Sequence, residues 1–214
     1  MNISDPAMVG ASESIMMSNV QHFQRWLLAI VLMIPFGSAL ADWELDDTQS
    51  AINFISIKNN SVGEVHSFTA LVGSIAATGK VQIAINLNSV QTLVEVRNER
   101  MRELLFETVA FPAAQITASV DPAMLAAAVD SGVIATDVPV TLALHGQEKT
   151  MTIAVAAVGE GDGSLRVFTT RPVIINAADF GLDKGVSMLK TIAGLQSISR
   201  AVPVTFDLQF VPTQ

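Results

Sequence analysis

The feature that most limits how this chain can fold is a strict two-residue alternation near its end. Val202, Val204, Phe206, Leu208 and Phe210 interleave with Pro203, Thr205, Asp207 and Gln209. Successive side chains of a strand point to opposite faces, so such a segment buries one face and wets the other. The same period runs through Val81, Ile83, Ile85 and Leu87, through Val138, Val140, Leu142 and Leu144, and through Met151, Ile153 and Val155. Weaker strand candidates lie at 50–58, 65–76, 114–120 and 164–175. That makes about eight strands, separated by turn signals such as Lys58-Asn59-Asn60, His145-Gly146-Gln147 and Gly161-Asp162-Gly163.

Two segments depart from this period. Arg97 to Val109 mixes charges with Met101, Leu104, Leu105 and Thr108 at helical spacing. Asp121-Pro122 followed by an Ala-rich run ending at Gly132 has an N-cap residue, a first-turn proline and a terminal glycine. The chain therefore reads as mainly β, a barrel or sandwich with two short helical insertions. No internal repeat or βαβ alternation is present.

The strands begin only after residue 49. Before them, Trp26 to Phe36 is an uninterrupted apolar run, preceded by Arg25 and followed by Gly37-Ser38 and Ala39-Leu40-Ala41. A spanning helix needs about 20 apolar residues, so the run is too short to cross a bilayer as one. A basic flank, an apolar run and an A-x-A site make a secretory signal, with cleavage expected after Ala41. The competing readings are a buried helix or a retained anchor. Met16 or Met17 would give such a signal a more ordinary start than Met1. The expected organisation is thus residues 1–41 as extension and signal, and 42–214 as one domain. Cysteine is absent, which excludes disulfides, thiolate metal sites, cysteine nucleophiles and thioester or thioether lipid anchors. Export without cysteine fits a bacterial periplasm.

The charge balance, 12 Lys+Arg against 20 Asp+Glu for a net −8, argues against nucleic acid as a partner. Catalytic chemistry finds little support. His66 and His145, the two histidines beyond the signal, have no HExxH spacing and no third histidine nearby, so they read as surface or structural residues. There is no G-x-S-x-G elbow. Asp179-Phe180-Gly181 spells a kinase motif without its companions, and Gly159 to Gly163 reads as a hairpin turn. No metal, cofactor or enzymatic activity is expected. The alternating charges from Glu95 to Glu107 read either as a solvated helix face or as a polar mouth beside a cavity.

An eight-stranded barrel is just wide enough to be filled by side chains or to hold one small ligand. Only 6% of the residues are aromatic and tyrosine is absent. Walls of Val, Ile, Leu and Met can line a lumen without blocking it, and they offer few polar groups to a ligand. The wall candidates, read from alternation, are Phe54, Ile83, Ile85, Leu142, Leu144, Ile153, Val155, Phe206 and Leu208. A membrane barrel is disfavoured, because it needs aromatic girdles at both interfaces.

An ordered set of short motifs resembles a known family. Trp43, Asp46, Ser50 and Phe54 match the opening strand of YceI-like proteins, W-x-x-D-x-x-x-S-x-x-x-F. Ser89 to Thr92, Arg97-Asn98, Phe106 and Phe111-Pro112 follow that family's central stretch, and Leu142 to Gly146 and Asp179 to Leu182 its later turns. The resemblance implies an eight-stranded antiparallel up-and-down barrel, lipocalin-like and periplasmic, that holds a long isoprenoid-type lipid or quinone. It makes Arg97, Asn98, Phe106 and Phe180 the candidates for the cavity mouth. Asn98 and Ala177 stand where many members carry aspartate and arginine. A carrier or store for such a lipid is the first expectation. A packed barrel serving as a structural or protein-interaction module is the second. An accessory module presenting quinone to a membrane redox partner is the third.

Overall fold

The computed structural model describes residues 41–213. The expected export signal over 1–41 lies, Ala41 apart, outside the described residues. The architecture is mainly β: a closed antiparallel barrel of eight strands with three short helices. In chain order the strands are β1 (Ala41–Lys58), β2 (Val62–Phe68), β3 (Leu71–Ala76), β4 (Lys80–Asn86), β5 (Val90–Gln91), β6 (Ala113–Ser119), β7 (Val133–Leu144), β8 (Gln147–Gly159), β9 (Leu165–Thr169), β10 (Val173–Asn176) and β11 (Ala201–Pro212). The ring runs β11-β9-β8-β7-β6-β4-β3-β1 and closes by pairing β1 with β11, Trp43 opposite Pro212 and Phe54 opposite Val204.

Two of the sequence candidates are single strands that bend. β2 pairs with the second half of β1 and β3 with its start, so 62–76 is one strand kinked at Thr69-Ala70. Likewise β9 and β10 pair with successive parts of β11 and kink at 170–172. Such kinks lengthen the barrel without adding staves to the ring. Where β2 leaves the ring, β5 and the turn Leu87–Ser89 continue the wall, held by Thr69 N–H to Ser89 O (3.2 Å) and Leu87 N–H to Pro112 O (2.9 Å).

Helices cover both ends. At the lower end, α2 (Pro122–Ser131) begins at Asp121, whose carboxylate accepts from Ala123 N–H at 2.8 Å, as the Asp-Pro signal predicts. It lies so close to β8 that a methyl group on Gly159 would sit 2.3 Å from the Ala128 carbonyl. At the upper end, α1 (Glu95–Arg100) passes into a π-turn, Met101–Leu105, with Phe106 N–H bonded to Met101 O at 2.9 Å. Against that turn packs α3 (Asp183–Ile192), which the strand-based reading does not anticipate. Its Leu182, Val186 and Leu189 share one face. No described helix is long and apolar enough to cross a membrane.

Candidate lipid-binding lumen

Inward side chains of the ring leave two adjoining apolar chambers. The upper one, about 170 Å³, is lined wholly by apolar residues, from Phe54 and Ile85 on the wall to Leu105, Phe106, Leu182 and Val186 under the upper helices. The lower one, about 130 Å³, is lined by Ile83, Val155 and Leu208, with Met124, Leu125 and Ala128 of α2 as its floor. Thr136 is its one polar lining residue. Ile52, Ile116, Val140, Ile153 and Phe206 line both and form a waist between them. An apolar cavity of about 150 Å³ holds a benzene-sized guest and stays dry when empty. Two such spaces in line suit a slender chain better than a fused-ring ligand.

All nine residues expected on the wall line a chamber. Phe54, Ile85, Leu142 and Leu144 face the upper, Ile83, Val155 and Leu208 the lower, and Ile153 and Phe206 both. The four expected at the mouth are placed differently. Phe106 lines the upper chamber, where the π-turn projects it. Phe180 is almost fully buried in a 3-10 turn, Ala177–Phe180, and lines neither chamber. Its carbonyl lies 3.2 Å from His145 Nδ1, which ties the β7–β8 turn to the base of α3.

Arg97 and Asn98 brace the upper loop from outside the lumen. Arg97 donates to Glu64 on β2 (2.7 Å) and to the Thr92 carbonyl. Lys58 bonds the same carboxylate at 2.9 Å, and the two cations hold Glu64 below the usual carboxylate range. Asn98, 2% exposed, accepts from the Thr92 N–H (2.8 Å) and hydroxyl (2.6 Å) and donates to Gln91 and Glu95. A carboxylate here could not donate to Glu95, so the amide is what this loop requires. Ala177 lines the upper chamber, where a small side chain keeps the wall apolar. The lumen residues in turns and helices that alternation overlooks are Leu105, Met124, Leu125, Ala128, Ala177, Leu182 and Val186. The 182, 186, 189 spacing is the signal that could have found α3.

His66 is 3% exposed beside Phe54, with ring centroids 5.1 Å apart. One ring nitrogen meets Ser56 Oγ at 2.8 Å, and burial pushes its pKa down. Among the described residues, no three acidic or histidine side chains converge as metal ligands would.

The family model of the YceI-like domain matches residues 43–210. The chain belongs to the YceI-like family. A search of curated proteins finds no match. Among solved structures, this YceI-like chain is similar to a polyisoprenoid-binding domain from Saccharophagus degradans, at 37% identity and a TM-score of 0.78. That match covers 81% of this chain and 99% of the other. Burkholderia cenocepacia BcnA shares the fold at 19% identity, with a TM-score of 0.61, covering 77% and 98% of the two chains.

Proposed function

We propose that this YceI-like barrel is a non-catalytic carrier or store for an isoprenoid-type lipid, held as an extended chain in the two-chamber lumen. The observation that carries the reading is the lumen itself, two adjoining chambers walled by apolar residues with Thr136 as their one polar member. A filled core would leave no such space, because protein interiors are close-packed. The Saccharophagus degradans relative, named for polyisoprenoid binding, supports the same ligand class. The nine wall residues and Phe106 would contact the chain, with binding driven by burial at roughly 25 cal/mol per Å² of apolar surface.

The apolar run and A-x-A site before Asp42 support export to the periplasm. Isoprenoid quinones are within the ligand class, since their tails have the same chemistry. Organic extraction of the purified protein, followed by mass spectrometry, tests the reading. A long-chain isoprenoid recovered at near-stoichiometric yield supports it. A protein that yields none and takes up neither prenols nor quinones on exposure contradicts it.

A further inference from the structure

An isoprenoid-type lipid has a polar end, and the lumen has no place for one. A hydrogen-bonding group drawn fully inside would lose its water and find almost no replacement partner. The polar end must rest at an opening continuous with a chamber.

Two polar hollows lie near the upper chamber. The larger, about 680 Å³, is bounded by α1, the π-turn and α3, and it shares no lining residue with either chamber. The other, about 340 Å³, lies between β8 and β10 and shares Met151, Ile153 and Val173 with the upper chamber. Only the second borders the lumen through shared wall residues.

That hollow sits where the barrel wall is unstitched. β9 pairs with β8 only over 155–159, and the Thr170 N–H to Ala154 O bond (3.0 Å) follows it. At Arg171-Pro172 the chain parts from β8, and Pro172 has no N–H to give it. Beyond it, β10 pairs with β11 alone, and residues 147–154 of β8 have a strand partner only in β7. Peptide groups alternate sides along a strand, so Thr152 and Thr150, in step with Ala154, aim their N–H and C=O groups into this seam. Two surface ion pairs bracket it: Lys149 to Asp179 at 2.8 Å, and Arg171 to Asp137 at 3.4 Å. Exposed pairs of this kind hold weakly and exchange readily.

We infer that the β8–β10 seam is the entrance to the lumen and the seat of the ligand's uncharged polar end, a hydroxyl or ring carbonyl. This rests on the lipid-binding reading above. The chain threads past Met151 and Val173 into the upper chamber, and the end group meets the β8 edge. Each cation at the seam already faces a carboxylate, so the site has no surplus positive charge for a pyrophosphate. The net charge of −8 repels one further.

The natural absence of cysteine makes the test clean. Lys149→Cys with Asp179→Cys places the chain's only thiols across the seam, to be joined by a short bis-maleimide. Arg166→Cys with Asp207→Cys, replacing an exposed pair on the paired β9 and β11, is the control. Native mass spectrometry follows uptake of farnesol and of farnesyl pyrophosphate. The expected results are at least tenfold slower farnesol uptake after crosslinking the seam, no change after crosslinking the control, and at least tenfold weaker binding of the pyrophosphate by the unmodified protein. A crosslinked seam that loads at the control's rate overturns the entrance. Equal affinity for the two ligands overturns the uncharged end group. A wild-type protein that takes up neither defeats the lipid-binding reading, and the inference with it. Thr152→Cys with Ile174→Cys repeats the crosslink if the first variant does not fold.

Discussion

At the waist, five side chains decide whether the lumen is one space or two. Val140 lines both chambers and is 7% exposed, so added bulk there points into open volume. In a filled core, extra methylenes cost about 1–3 kcal/mol. Val140→Phe should therefore shift the thermal midpoint by no more than about 2–4 °C while weakening prenol binding at least tenfold. Calorimetry beside a binding titration checks both, and loss of stability and binding in parallel would mark an ordinary core. His66 makes a different prediction. Its pKa is lowered from 6.5 by burial, with Arg97 and Lys58 adding to the effect and Glu64 opposing it. Above 6.5 the imidazole is neutral in both folded and unfolded chains, so it contributes no pH dependence there. As pH falls below 6.5 the unfolded chain takes up the proton first, and stability declines until the folded value is reached. His66→Gln should flatten denaturant midpoints between pH 7 and 5 relative to wild type.

Elements differ in how openly the residues announce them. Helix α2 is readable because its start is chemical: Asp121 caps it and Pro122 fits its first turn. The barrel staves are readable because one buried face imposes period two. Helix α3 hides because Leu182 provides no side-chain cap and Gly185 interrupts its interior. The glycine has a packing reason, since a Cβ there would lie 2.6 Å from the Leu104 carbonyl and 2.8 Å from the Leu105 Cα. Gly185→Ala should push α3 from the π-turn, destabilise the fold by about 1–3 kcal/mol and speed ligand loss. Hydrogen exchange along α3 reads the separation, and unchanged protection and off-rate would count against the close α3–π-turn packing as a constraint on the ligand. The kink at Arg171-Pro172 is invisible to alternation, because Val167, Val173 and Ile175 keep one inward parity across it, whereas at Thr69-Ala70 the inward parity switches between Phe68 and Ile75. The mouth residues were hard to place for a related reason. Charge spacing shows that Arg97 and Asn98 lie on a polar face, but only the fold shows them turned toward Glu64, Thr92 and Glu95 rather than the lumen.

For the whole molecule, a low aromatic content and small aliphatic walls are one property seen twice. Side chains of Val, Ile and Leu size close the ring yet leave the chambers open, and helices cover both ends. The ends differ: α2 packs tightly on β8 below, whereas the wall above parts at the β8–β10 seam. With the proposed entrance at the seam, a bound chain would lie with its tail toward α2 and its polar end toward the seam. The central claim is that a lipid chain runs through the waist, and nuclear Overhauser contacts between an unlabelled prenol and labelled methyl groups test it most directly. The account predicts contacts from the chain to the Ile52, Ile116 and Ile153 methyls, which line both chambers. Contacts confined to exposed methyls such as Val72 and Val109 at saturating prenol would contradict it.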